Sequence, residues 1–121
     1  MKKILVVDDE EDIRLLVKTL LEEEKFSVDE ANDGKDALDK LGKNTYDLVV
    51  LDFFMPGMSG REVLENMRQE ARTKKTRVVF LTVATFSFGG QDEIKKLGSM
   101  DYIKKPFDNA DFIKRVKKAL K

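Results

Sequence analysis

Three continuously apolar runs constrain the fold of this chain more than any other feature. They read ILVV from residue 4, LVVL from residue 48 and VVFL from residue 78, and segments with helical periodicity separate them. A strand that is apolar at every position is buried on both faces, as the central strands of parallel sheets are. The sequence therefore predicts a parallel sheet that is covered by helices on both sides.

Strands and helices are predicted to alternate along the whole chain. The strands are predicted at 3–7, 26–31, 47–51, 77–81 and 100–103, and the helices at 11–24, 33–41, 60–71, 91–97 and 108–120. The periodicity of the first helix predicts a buried face made of Ile13, Leu16, Val17, Leu20 and Leu21. Asn32 or Asp33 is the expected cap of the second helix and Ser59 that of the third. The stretch 84–90, ATFSFGG, is predicted to be a mobile loop.

The polarity of the strands predicts their order in the sheet. The second strand alternates apolar and polar residues, and the short fifth strand contains Asp101, so both are expected at the edges. With right-handed crossovers this gives the order 2-1-3-4-5. The predicted fold class is therefore α/β, a single (βα)5 flavodoxin-like doubly wound parallel sheet.

Composition restricts the function classes that are open to the chain. Its 121 residues suffice for one domain, 1–121, and its 23 basic and 23 acidic residues give zero formal net charge. Balanced charge argues against direct nucleic-acid binding, and no apolar run approaches a membrane span. The absence of cysteine and histidine excludes thiol and Ser-His chemistry. We expect a cytoplasmic protein.

Polar side chains collect where the predicted strands end. Asp8 and Asp9 follow the first strand, Asp52 the third and Thr82 the fourth, and Lys105 follows the fifth. Taken singly, such residues are more often turn formers, caps or ordinary strand residues. Because ligands of parallel sheets bind beyond the carboxyl ends of the strands, we expect all five to converge. Carboxylates with Mg²⁺, an ammonium and a hydroxyl form a set that is suited to phosphoryl transfer onto an aspartate.

As a set, the segments KILVVDDE, DLVVLDFFMPGMSG, VVFLT and DYIKKPF resemble the receiver domains of two-component response regulators. The resemblance covers the whole chain. It implies that Asp52 accepts a phosphoryl group from a histidine kinase or a histidine phosphotransfer protein. It also implies that Asp8 and Asp9 bind Mg²⁺, with Asp9 the direct ligand, and that the backbone carbonyl of Phe54 completes the metal site together with Asp52.

The same resemblance assigns the switch and the output. Thr82 and Tyr102 match the switch hydroxyl and aromatic, Lys105 matches the phosphate-binding lysine, and the Lys105–Pro106 bond is expected to be cis. The chain would assist only its own phosphorylation and dephosphorylation. A downstream protein would bind the face of the fourth predicted helix, the fifth strand and the last helix. The expected state is a monomer or a weak phosphorylation-dependent dimer.

Two departures and two rival functions qualify this interpretation. Val83 stands where the family usually has a small residue, and Phe54 stands where it often has a polar one. We expect these two bulky apolar side chains to restrict water near the phosphoryl group. A phosphatase of the haloacid-dehalogenase type would have a second aspartate at Phe54. A phosphorylation-independent module would have lost an acidic residue, Thr82 or Lys105.

The basic side of the last helix is either solvated or a docking surface. The chain is either a single-domain regulator or the receiver part of a DNA-binding one.

Overall fold

The structure is a five-stranded parallel sheet with helices on both faces. The computed structural model describes residues 1–83 and 95–121. The strands are β1 (Lys3–Val7), β2 (Ser27–Ala31), β3 (Leu48–Asp52), β4 (Arg77–Thr82) and β5 (Ser99–Lys104). The helices of the described part are α1 (Glu11–Glu23), α2 (Gly34–Lys43), α3 (Gly60–Gln69) and α4 (Asn109–Ala119). The strand order is β2-β1-β3-β4-β5, which confirms the predicted fold class and both edge strands.

The central strands are apolar throughout because each contributes to two cores. Leu5, Val49 and Phe80 belong to a buried cluster beneath α2 and α3. Val6 and Val50, one residue along, belong to a second cluster beneath α1 and α4. Full burial of such a side chain stabilises the fold by about 1.5–3 kcal/mol. The two cores hold the strands in register, so that their carboxyl ends form one edge.

Side-chain caps fix where the helices of the functional edge begin. The Asp33 side chain accepts a 2.7 Å hydrogen bond from the Asp36 amide at the start of α2, so Asp33 and not Asn32 is the cap. Ser59 and Glu62 form a reciprocal capping box at the start of α3. A cap of this kind contributes about 1 kcal/mol.

One part of the predicted helix packing is wrong, and some predictions fall outside the described residues. Leu16 of α1 is 40% exposed, whereas Val17 and Leu21 are fully buried. Leu16 lies about 100° around the helix from Val17, at the margin of the buried face. The loop predicted at 84–90 and the first four residues of the helix predicted at 91–97 lie outside the described residues. No helix of the described part is long and apolar enough to span a bilayer.

Candidate functional site

Charged side chains from three strands meet at the carboxyl edge of the sheet. Asp8 follows β1 directly, Asp52 ends β3, and Lys105 follows β5. The Lys105 ammonium lies 2.8 Å from Asp8 Oδ2 and 3.8 Å from Asp52 Oδ1. All three residues are buried. Two buried carboxylates therefore share one ammonium, and the exposed Glu10 carboxylate approaches it to 3.9 Å.

Backbone and side-chain contacts fix Asp8 on every side. Its amide donates to the carbonyl of Ala31 at 3.2 Å, and its Oδ1 accepts from the Glu10 amide at 2.9 Å. Its carbonyl accepts from Arg14 Nη1 at 2.9 Å, while Arg14 Nε lies 3.2 Å from Glu30 Oε1. Arg14 could not be predicted as part of the site, because an arginine in the first turns of an amphipathic helix carries no distinctive signal in the sequence.

The acidic turn after β1 can hold a divalent cation. Asp8, Asp9 and Glu10 each offer an oxygen atom, and these atoms lie within 4.8 Å of one another. Asp9 and Glu10 are exposed, whereas Asp8 points inward to Lys105. A donor set made only of oxygen is the one that Mg²⁺ prefers. The residues at this position therefore fit a hard divalent cation.

The environment of Asp52 makes its carboxyl hard to ionise. Burial raises the pKa of Asp52 to about 7, and repulsion from the Asp8 carboxylate adds to the increase. The Lys105 ammonium and a hydrogen bond from the Phe54 amide act in the opposite direction. A cation placed among these carboxylates would favour the ionised, nucleophilic form of Asp52.

The connection after β3 folds back onto the backbone of Asp52. The Phe54 amide makes a long, 3.4 Å hydrogen bond to Asp52 Oδ1, and the exposed Phe54 ring packs edge-on against Phe53 with ring centroids 4.9 Å apart. The Gly60 amide donates to the Phe53 carbonyl at 2.9 Å. A Cβ at Gly60 would lie 2.2 Å from the Asp52 carbonyl oxygen, so only glycine fits there. The sequence carries one indication that position 60 is special, because a glycine directly follows the helix cap Ser59.

Thr82, Tyr102 and Lys105 are connected through β4 and β5. Thr82 is fully buried at the end of β4, and its carbonyl accepts from the Lys105 amide at 2.7 Å. Tyr102 pairs with Phe80 in register, so alternation along the strands puts Tyr102 and Thr82 on the same face of the sheet. Tyr102 is half-buried against the cluster beneath α2 and α3. The Lys105–Pro106 bond is cis, as expected.

Comparison with known proteins places this architecture in one family. The family model described as the response regulator receiver domain matches residues 4–117. The transcriptional regulatory protein ResD of Bacillus subtilis is 40% identical over 98% of this chain and 48% of its own length. Response regulator ArlR of Staphylococcus saprophyticus is 35% identical over 100% of this chain and 53% of its own length. The chain thus spans about half the length of these curated relatives.

Solved structures agree with the sequence relatives. Chemotaxis protein CheY4 of Vibrio cholerae superposes with a TM-score of 0.92 at 33% identity, covering 98% of each chain. Response regulator protein TrrA of Thermotoga maritima, solved in complex with Mg²⁺ and BeF, superposes with a TM-score of 0.84 at 38% identity, covering 98% of this chain and 99% of its own. The chain therefore belongs to the response regulator receiver domain family of two-component signalling.

Proposed function

We propose that Asp52 accepts a phosphoryl group in a Mg²⁺-dependent reaction, with a histidine kinase or a histidine phosphotransfer protein as the donor. The observation that carries the proposal is the buried carboxylate of Asp52, 3.8 Å from the Lys105 ammonium and beside the acidic turn. Such a carboxylate can act as a nucleophile toward phosphorus. The TrrA complex with Mg²⁺ and BeF supports the same chemistry in a relative.

The magnesium ion would be held by Asp8, Asp9, Asp52 and the backbone carbonyl of Phe54. Once bound, the ion would neutralise their charge and bind an oxygen of the incoming phosphoryl group. Asp9 is one of the two exposed carboxylates of the turn, the other being Glu10, and it is the proposed direct ligand. Asp8 is held rigidly by Glu10 and Arg14, which keeps the turn in place without the ion.

The transfer itself needs only one bond to form and one to break. An Asp52 carboxylate oxygen attacks phosphorus, the bond between phosphorus and the histidine nitrogen breaks, and the nitrogen keeps the electron pair. Lys105 is placed to move from Asp8 towards the oxygens of the phosphoryl group, because its ammonium already lies between the two carboxylates. The Thr82 hydroxyl supplies the remaining hydrogen bond.

Output follows from the charge that this reaction adds. A phosphoryl group adds negative charge and acceptor oxygens near the end of β4, which attracts the Thr82 hydroxyl. Movement of Thr82 vacates space on the face that Tyr102 shares, and the tyrosine turns inward. We propose that the face formed by the helix predicted at 91–97, β5 and α4 then binds a downstream protein or a second copy of the chain, as a two-state switch.

The rival functions are less well supported. The chain belongs to a family of signalling receivers and not to a recognised enzyme family, and we propose that its chemistry is limited to its own phosphorylation and dephosphorylation. Phe54 occupies the position where a haloacid-dehalogenase phosphatase has its second aspartate. A phosphorylation-independent module would not need Asp8, Asp52 and Lys105 gathered in one buried site. We further propose a cytoplasmic location, consistent with the absence of cysteine.

Phosphorylation can be tested with intact-mass analysis after incubation with phosphoramidate. We expect one added phosphoryl group in the presence of Mg²⁺, none in excess chelator and none in Asp52→Asn. The matched control is Asp39→Asn, which removes an exposed carboxylate on α2 and should be labelled like the unmodified protein. Undiminished labelling of Asp52→Asn, or labelling in chelator, would contradict the proposal.

A further inference from the structure

A loop with four basic side chains lies at the edge of the sheet opposite the acidic site. We call residues 72–77 the basic loop; it contains Arg72, Lys74, Lys75 and Arg77. Within residues 1–83 and 95–121, none of these four side chains takes part in an ion pair or a hydrogen bond. Many other cations of the described part form ion pairs, as Arg14 does with Glu30. The positive charge of the basic loop is therefore available to a partner.

The backbone of the basic loop is fixed from the inside by Arg68. Arg68 Nη1 donates to the carbonyls of Thr73 at 3.2 Å, Lys74 at 3.2 Å and Thr76 at 2.8 Å. The buried Thr73 hydroxyl adds a 2.7 Å bond to the Met67 carbonyl. With its carbonyls turned inward, the loop presents its charged side chains on an ordered backbone, which reduces the entropy lost on binding.

Arg68 also joins the basic loop to the start of β5. Its Nε donates to the Leu97 carbonyl at 2.6 Å, and Nη2 to the Gly98 carbonyl at 3.3 Å. Gly98 has a φ of 88°, and a Cβ there would lie 3.1 Å from Arg68 Nε. The guanidinium therefore sits in a space that a side chain at Gly98 would narrow. Its contacts with two chain segments make the loop part of the folded framework.

The basic loop borders an open concavity of about 490 Å³. Tyr46, Asp47 and Ala71 also line this concavity. The Asp47 carboxylate already accepts a 2.8 Å hydrogen bond from the Lys3 amide, so its charge is partly satisfied. The concavity thus has a strongly basic rim beside the buried Tyr46, and acidic side chains would complement that rim.

Its position separates this surface from the phosphorylation site. The basic loop ends at Arg77, the first residue of β4, whereas Thr82 ends that strand beside the acidic site. Six residues of strand put the two edges about 17 Å apart. A partner could therefore bind the basic loop without covering Asp52.

We propose that the basic loop and its concavity bind an acidic segment of a partner protein. The inference does not depend on the proposed function, because no residue of the phosphorylation site takes part. A protein segment is favoured over nucleic acid, since one six-residue loop is small beside the about 600–1,000 Å² that a single DNA-binding module buries. Zero net charge also provides no long-range attraction for a duplex.

A synthetic peptide of alternating Glu and Gly, labelled with fluorescein, tests the surface directly. The test variant is Lys74→Gln/Lys75→Gln, and the matched control is Lys35→Gln/Lys43→Gln, which removes two exposed cations from α2. We expect the first variant to bind about tenfold more weakly in fluorescence anisotropy and the second to bind as the unmodified protein does. Amide NMR shifts should cluster at Tyr46 and the basic loop.

Several outcomes would overturn the proposal. Equal losses in both double variants, or shifts centred on α4, would show that the peptide follows general charge and not this loop. Tighter binding of a DNA duplex than of the peptide would assign the surface to nucleic acid. Shifts at the basic loop that depend on protein concentration alone would assign it to a second copy of the chain.

Discussion

Replacement of Asp52 by asparagine should stabilise the metal-free protein, and more so at high pH. The pKa of Asp52 is raised from 3.8 to about 7 in the folded state, chiefly by burial and then by the Asp8 carboxylate. Between these two values the folded state binds the proton more tightly than the unfolded state, so stability falls as pH rises through this window. Asparagine cannot ionise and escapes this loss.

The magnitude follows from the same two pKa values. At about 1.4 kcal/mol for each tenfold change in proton affinity, ionisation of Asp52 removes about 4 kcal/mol from the free energy of unfolding at pH 8. At pH 5 the free energy of unfolding is lowered by only about 2 kcal/mol. Asp52 is then ionised only in the unfolded state, and this pH lies only about one unit above its pKa there. We therefore expect the advantage of Asp52→Asn to grow by about 2–3 kcal/mol from pH 5 to pH 8.

Urea denaturation in chelator at both pH values measures this difference. Asp39→Asn is the control, since this exposed carboxylate lies on α2 outside the acidic site, and it should change little at either pH. An equal effect of Asp52→Asn at pH 5 and pH 8, or a lower stability of this variant than of the unmodified protein at pH 8, would show that the pKa of Asp52 is not raised by folding.

Three further substitutions, one of them with a matched control, probe the surroundings of the site and the core. Val83→Ala, at an exposed position after β4, should speed hydrolysis of the phosphorylated protein about tenfold by admitting water; unchanged decay of the intact-mass signal would count against this. Gly60→Ala should lower the free energy of unfolding by about 2–4 kcal/mol, because the added Cβ clashes with the β3 backbone. Gly42→Ala is the control, since a Cβ there meets nothing within 4 Å, and it should raise the free energy of unfolding by about 0.5–1 kcal/mol. Equal effects of the two variants in urea denaturation would contradict a steric clash at Gly60. Tyr46→Phe removes the 2.6 Å bond to Asp29 and should cost about 1–2 kcal/mol at neutral pH. Because that bond lowers the pKa of Asp29, the cost should shrink in urea denaturation at acid pH as Asp29 is protonated; a constant cost would refute this.

The fold could be predicted from sequence because burial on both faces leaves a direct trace. The consecutive residues Val49 and Val50 belong to opposite buried clusters, so a polar residue is tolerated at neither position. The edge position of β2 could be inferred from its mixed polarity. Leu16 could not be assigned in the same way, because hydrophobicity alone does not distinguish the centre of a buried helix face from its margin.

The part of the candidate site that could be predicted from sequence consists of the residues at strand ends. Asp8, Asp52 and Lys105 meet because parallel strands end at a common edge. The supporting contacts of Arg14 and Gly60 depend on how a helix and a loop return to that edge, and spacing in the sequence does not encode such tertiary geometry. The role of Arg68 in holding the basic loop is of the same kind, since its acceptors are backbone carbonyls without any sequence signature.

Chemical reduction can identify the carboxylate that receives the phosphoryl group. Borohydride reduction of the phosphorylated protein converts an aspartyl phosphate to homoserine, which peptide mapping by mass spectrometry can locate. We predict homoserine at the position of Asp52, only in samples that contained Mg²⁺. Homoserine at the position of Asp8 or Asp9, or its formation in the presence of excess chelator, would contradict the account.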